Sequence, residues 1–209
     1  MSTFRPLDPF TMLSPVPAVM VSCCDAAPGA KPNIITIAWV GTVNSDPPMV
    51  SISVQKRRYS YDMIANSGEF VVNLVGVKQC RAMDYCGVKS GRETDKWADC
   101  HYTPVPAEGL AYAPAIAECP GYLACKVRQT IELGSHVMFI GEVVSCAVQE
   151  EFFDEDGSMH LERAELVTKT HGVYQKATDV LGFFGYSVAK PDVFKRRMSV
   201  YRKKRVPKR

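Results

Sequence analysis

A chain of 209 residues, 46% hydrophobic and 22% charged, is long enough for one domain with a substantial core and too short for two nucleotide-binding α/β domains side by side. That hydrophobic content excludes an intrinsically disordered chain. The formal charge of +3 hides an asymmetry: segment 195–209 carries nine Lys and Arg and no acid, so the remainder is left with −6.

The first residues, Met-Ser-Thr-Phe-Arg-Pro-Leu-Asp-Pro, place an acid and two prolines where a signal peptide needs its apolar region. No apolar run approaches the roughly 20 residues that span a bilayer. A soluble, cytoplasmic protein is the expectation. The eight cysteines are then read as free thiols and small buried hydrophobes, since disulfide frameworks belong to small secreted domains. Their spacing does not suit zinc either: Cys23 and Cys24 are adjacent, and Cys80/Cys86 and Cys119/Cys125 stand further apart than zinc-knuckle pairs do.

In chain order, residues 17–24 (Pro-Ala-Val-Met-Val-Ser-Cys-Cys) read as a short strand that ends in a Pro/Gly-rich loop. Residues 33–43 are dense in Ile, Val, Thr and Trp and read as a second strand. After Asp46-Pro-Pro, residues 49–55 alternate strictly, with Val50, Ile52 and Val54 on one face and Ser51, Ser53 and Gln55 on the other. Ser60 is placed as the N-cap of a short helix closed by Gly68. Residues 69–75 return to strand, 78–85 read as a second short helix with Cys80, Met83 and Cys86 inward, and 87–99 as a polar loop leading into one helical turn.

The clearest local signal is a hairpin. Residues 122–133 and 136–149 are strand-like runs separated by Gly134-Ser135, and glycine at the first of two turn positions marks a type II′ turn. One more short strand or helix is expected after Asp156-Gly157, and 181–186 reads as loop. The sum is a mainly β chain of six or seven antiparallel strands with short helices, which a barrel would free of exposed edges. Residues 34–40 and 137–144 are apolar on both faces, so a second subunit is expected over the outer face, which makes a homodimer.

No Gly-x-Gly-x-x-Gly follows a strand, and no P-loop, His-Glu-x-x-His or Gly-x-Ser-x-Gly is present. A dinucleotide, if used, must bind without a Rossmann site.

Six segments, taken in order, resemble the flavin-reductase-like, FMN-binding split-barrel family to which flavoredoxins belong. They are Pro-Asn-Ile-Ile-Thr-Ile-Ala-Trp (32–39), Pro-Pro-Met-Val-Ser-Ile-Ser (47–53), Arg-Tyr-Ser-Tyr (58–61), Gly-Glu-Phe-Val-Val-Asn (68–73), Ser-Gly followed by Asp-Lys-Trp (90–97), and His-Val-Met-Phe-Ile-Gly-Glu-Val (136–143). The resemblance covers about three quarters of the chain, from 17 to about 174. It implies an FMN-binding split barrel of six or seven antiparallel strands in Greek-key order over 1–190, followed by the basic tail 191–209. The tail reads as a solvated, mobile extension, with nucleic acid, an anionic membrane surface or a phosphorylated ligand as charge-matched alternatives.

The resemblance also implies a site. Arg58 and Ser60, at the start of the helix after the third strand, would hold the FMN phosphate, because a guanidinium bonds phosphate bidentately and a helix N-terminus offers free donors. The ring would lie against Asn33, Thr36, Ala38, Trp39, Ser51 and Ser53. Asn73 would satisfy a buried backbone group or bond the ligand. Lys96 and His136 would stand by the flavin as its reactive-site residues, Lys96 stabilising charge at the ring's N1–O2 edge or binding phosphate, His136 donating to the ring or orienting a substrate.

The implied activity is that of an FMN-dependent oxidoreductase taking a hydride from NAD(P)H and reducing a flavin, metal or protein acceptor. The alternative is an electron-transfer flavoprotein that does not use nicotinamide. A flavin-free, nucleic-acid-binding barrel is the remaining reading, and the weakest of the three.

Overall fold

The computed structural model describes residues 3–177 and 179–203. In chain order the elements are β1 (Val16–Pro17), β2 (Val19–Cys23), β3 (Asn33–Ile37), β4 (Val40–Ser45), β5 (Pro48–Val54), α1 (Tyr59–Ser67), β6 (Glu69–Asn73), α2 (Cys80–Val88), α3 (Lys96–Asp99), β7 (Pro104–Val105), β8 (Ala115–Ile116), β9 (Gly121–Glu132), β10 (Val137–Val148), β11 (Val167–Thr170), β12 (Val173–Lys176) and α4 (Pro191–Lys203).

Seven strands form one antiparallel sheet in the order β3-β2-β6-β9-β10-β5-β4. Its two edge strands, β3 and β4, are joined only by Ala38 and Trp39. Three Cα steps reach at most about 11 Å, so the sheet must curl until its edges nearly meet. No ladder joins β3 to β4 among the described residues, and the barrel is split there. The β9–β10 hairpin lies between β5 and β6, which are consecutive strands of the barrel, and this makes the order Greek-key. Small sheets of β1-β11-β12 and β7-β8 complete the β structure.

The hairpin follows its turn chemistry: Gly134 has φ 79° and the Leu133 N–H donates to the His136 carbonyl at 2.9 Å. The alternation of β5 is also observed, with Val50, Ile52 and Val54 buried. Inside the barrel they meet Val21, Ile35, Phe70, Val72 and Phe139, while Met63 and Ile64 of α1 join the same core. A fully buried side chain such as Phe139 is worth about 1.5–3 kcal/mol over its exposed state.

Four expectations are corrected. Residues 33–43 are two strands, because β3 pairs with β2 and β4 with β5, at opposite ends of the sheet order; the chain has to turn at Ala38-Trp39. Ser60 is not an N-cap: α1 starts at Tyr59, and the extended Arg58 precedes it with no side-chain capping bond. The segment after Gly157 holds more than one element, namely a 3₁₀ turn at Leu161–Ala164 and the β11–β12 pair. The tail is not a mobile extension through Lys203. Phe194, Met198 and Tyr201 recur at helical spacing and give α4 an apolar side on which Met198 is buried. Positions 204–209, with their four remaining cations, lie outside the described residues.

The two-faced apolarity of β3 also finds a local explanation. Ile34 packs outward against Met83 and Cys86 of α2 and Trp97 of α3, so the chain covers this face itself. On β10 the buried residues are the inward Val137, Phe139 and Gly141; the outer face keeps Met138 and Ile140 half-buried beside exposed Ile131 of β9. Among the described residues no helix is long and apolar enough to cross a membrane.

Candidate functional site

The start of α1, the start of β3, the loop 89–92 and the start of α3 converge on one cleft of about 170 Å³. Arg58 is exposed at its mouth, with Nη1 donating to the Gly87 carbonyl at 3.4 Å. No side chain caps α1; the Tyr61 N–H donates to the Arg58 carbonyl at 3.0 Å, which leaves the N–H groups of Tyr59 and Ser60 for a ligand. Ser60, on the first turn, is buried, and its Oγ accepts from Asn33 Nδ2 at 2.9 Å.

Lys96 forms the floor. It is 3% exposed, and Nζ donates to the carbonyls of Ile34 and Cys86, each at 2.7 Å. Asp95 fixes the turn that delivers it, since Oδ1 accepts from the N–H groups of Trp97 and Ala98. Burial pushes the lysine below its usual value, the Arg58 guanidinium adds to the fall, and the thiols of Cys86 and Cys23 act in the opposite sense. An ammonium has three donors, so the two carbonyls leave one for the cleft that Lys96 lines.

Arg57, Lys89 and Arg92 also line this cleft, giving five cationic side chains and no carboxylate in its wall. Arg92 lies over the Tyr59 ring at 5.0 Å and donates to the Arg57 carbonyl at 3.2 Å. Cations, hydroxyls and a helix N-terminus around a polar hole have the chemistry that suits an anion.

Arg58 connects the cleft to a second group of residues. Trp39, 46% exposed at the split, packs against His136 with ring centroids 4.2 Å apart and an angle of 43°. The Trp39 carbonyl accepts from Ser53 N–H at 3.0 Å, and His136 Nδ1 is 2.9 Å from Ser135 Oγ. Burial first, and the Arg58 charge second, hold the His136 pKa below its ordinary value. Ser51 and Ser53 lie half-buried on the outer face of β5 alongside.

The structure thus brings Asn33, Arg58, Ser60 and Lys96 into one cleft, and Trp39, Ser51, Ser53 and His136 onto the neighbouring outer face. Three residues fall elsewhere or are already engaged. Thr36 Oγ1 donates to the Met83 carbonyl of α2, and Ala38 belongs to the two-residue link. Asn73 is fully buried on β6, its Nδ2 donating to the Met20 carbonyl and Ser22 Oγ and its Oδ1 accepting from Ile116 N–H at 2.9 Å. It satisfies internal groups and does not line the cleft.

Sequence reasoning missed Arg57, Tyr59, Lys89, Gly91 and Arg92 as lining residues. Their signal was present: two cationic runs, 56–58 and 89–92, flank helices that the apolar pattern had located.

An antiparallel barrel, split between its edge strands and carrying a cation-lined cleft beside that split, defines a split-barrel protein. The chain belongs to the flavin reductase-like family, whose domain model, described as "Flavin reductase like domain", matches residues 12–173. Among solved structures it is similar to the flavoredoxin of Desulfovibrio vulgaris (Miyazaki F), with TM-score 0.82, 29% identity, and coverage of 90% of this chain and all of that one. The flavoredoxin of Methanosarcina acetivorans gives TM-score 0.78 and 27% identity over 90% of this chain and all of that one. A curated relative, the NADH-dependent flavin reductase StyB of Pseudomonas fluorescens, is 26% identical over 117 residues, which is 56% of this chain and 63% of StyB.

Proposed function

We propose that each subunit binds one FMN and that the protein is an oxidoreductase passing electrons from NAD(P)H to a small-molecule or protein acceptor. The observation that carries this reading is the meeting of Arg58, Ser60, Asn33 and buried Lys96 in a cleft walled by cations. The donor set fits the group. A phosphate monoester would take the free N–H groups of α1, the Arg58 guanidinium and the third proton of Lys96. The Trp39–His136 pair and the serines of β5 would give the ring an apolar wall and polar donors.

Lys96 falls to the phosphate side, because it shares a cleft with Arg58 and Ser60, whereas His136 lies outside that lining. Bound flavin supplies hydride acceptance and one-electron chemistry. The chain's part is to orient the ring at the split, hold the phosphate and keep a neutral imidazole beside Trp39. We also propose a homodimer through the outer face bearing Ile131, Met138 and Ile140, which the described residues leave partly exposed.

The test is spectroscopic. Purified protein is expected to be yellow with about one FMN per chain, and anaerobic NADH or NADPH is expected to bleach it. Colourless protein that gains no flavin on incubation with FMN would sink the reading. The likeness to two flavoredoxins favours a second reading, an electron carrier that ignores nicotinamide. Flavin that is bleached by dithionite but by neither nicotinamide would select it.

A further inference from the structure

Two thiols face each other behind the cleft. Cys86 Sγ, on α2, lies 3.8 Å from the Sγ of Cys100, the residue that follows α3. The flanking residues are joined as well: the Tyr85 hydroxyl donates to Asp99 Oδ2 at 2.6 Å, and Lys96 Nζ donates to the Cys86 carbonyl at 2.7 Å. These bonds hold α2 against α3 with the two sulfurs turned toward one another. A disulfide places its sulfurs about 2.05 Å apart, so this pair has about 1.8 Å left to close.

The segment between them gives the pair its consequence. Residues 87–99 include Lys89, Ser90, Gly91, Arg92 and Lys96, which make one side of the cleft, and 89–95 have no helix or strand to stiffen them. A bond from Cys86 to Cys100 would therefore tie off the loop that walls the cleft. Cys86 is buried and Cys100 half-buried, so a reagent from solvent meets Cys100 first. Burial raises both thiols, and the Lys96 ammonium works against that rise in each. The first attack is accordingly slow at neutral pH.

We propose that Cys86 and Cys100 are a redox-modification site, at which a low-molecular-weight disulfide converts the two thiols into a bond that clasps the cleft loop. The Cys100 thiolate attacks one sulfur of the reagent; a new S–S bond forms, the reagent's S–S bond breaks, and one reagent thiol leaves with the proton that Cys100 gave up. Cys86 then loses its proton to solvent and attacks the Cys100 sulfur, and the second reagent thiol leaves and takes up a proton. Two protein thiols are oxidised by two electrons, and one reagent disulfide is reduced to two thiols. The second step is intramolecular and runs at a high effective concentration, so the mixed disulfide does not persist. Closing a loop of about 15 residues stabilises the folded chain, and a wall already fixed costs less to order on binding. That FMN is the ligand which gains rests on the flavin reading of the cleft.

The experiment treats the full-length Cys146→Ser chain, freed of its exposed thiol, with an excess of glutathione disulfide. Peptide masses, the thermal midpoint and an FMN titration are read before and after. Expected are a linked Cys86–Cys100 peptide lighter by two hydrogens, a midpoint higher by roughly 6–12 °C, and FMN bound about threefold more tightly. Dithiothreitol should reverse all three. Adding Cys100→Ser should abolish them, and since Cys100 does not line the cleft, the FMN affinity of that variant should match the reduced chain.

The site is overturned if no linked peptide forms, or if glutathione stays attached to Cys100. The clasp is overturned if the linked peptide forms without a rise in the midpoint, or if a chain that binds FMN holds it no more tightly once oxidised. Failure of FMN to bind either form refutes the flavin reading itself, and the peptide masses and the midpoint then still decide whether the loop is clasped.

Discussion

Gly91 lies against the Asn33 amide so closely that a Cβ on it would stand 2.2 Å from Asn33 Oδ1 and 3.0 Å from Nδ2. Asn33 is buried and its Nδ2 is already spent on Ser60, so the amide has little room to withdraw. Gly91→Ala is therefore expected to break the Asn33–Ser60 bond and displace the 89–92 loop. Overpacking of this kind costs about 1–3 kcal/mol, and FMN affinity should fall about tenfold with the loss of one good phosphate contact. Thermal denaturation and flavin-fluorescence titration read the two effects. Unchanged FMN affinity in a stable variant would show that this contact does not shape the cleft.

The pH behaviour of His136 follows from its surroundings. Burial is the larger cause and the Arg58 guanidinium the second of a pKa held below the usual 6.5. The folded chain therefore binds fewer protons than the unfolded one in the interval below 6.5. The stability His136 contributes is complete above that pH and is lost as pH falls through it toward the folded pKa. Arg58→Ala is expected to move the imidazole titration upward, part of the way to 6.5, and Arg58→Lys to leave it nearly in place. Proton NMR of the imidazole measures both, and an unmoved His136 in Arg58→Ala would separate the two halves of the site.

Asn73 tests the line between site and scaffold. Its amide closes groups on two other strands, the Met20 carbonyl and Ser22 hydroxyl of β2 and the Ile116 N–H of β8. Asn73→Leu strands them without water, and buried unsatisfied polar groups cost about 1–3 kcal/mol apiece. A lowered urea midpoint is expected with FMN affinity per folded molecule unchanged. Loss of FMN affinity at full stability would return Asn73 to the binding site.

The same residue shows what a sequence does and does not display. The alternation in 49–55 and the glycine at 134 are local signals, and each was legible because the physics that uses it is local: one buried face, one positive φ. The role of Asn73 depends on partners 43 to 53 positions away, which no local pattern announces. The break at Ala38-Trp39 was hidden for a related reason, since most residues of 33–43 favour extended backbone and only the pairing of β3 and β4 with different neighbouring strands forces the corner. The cleft was half-visible. Its helix start drew notice to Arg58 and Ser60, while the 89–92 loop reads as ordinary solvated charge until the fold sets it against them. In α4 the density of lysine and arginine masked an apolar side of only three residues.

Thiol chemistry offers a last check on how the core is closed. All eight cysteines are free, but burial pushes the thiols of Cys23, Cys86, Cys119 and Cys125 up to about 12. The thiolate is the nucleophile, so these four should be the slowest to react near neutral pH, while Cys146, exposed on β10, should react first. Cys24, Cys80 and Cys100, also raised by burial, should follow slowly. Iodoacetamide labelling of the native chain, read by peptide mass spectrometry, is expected to give one fast adduct at Cys146, and all eight only after denaturation. Cys86 is the informative position, because it lines the inner cleft and packs against Ile34 behind the barrel wall. A rapid adduct there in the native protein would mean that the cleft opens further than its hydrogen bonds to Lys96 allow, and the anion site built on that lysine would need to be redrawn.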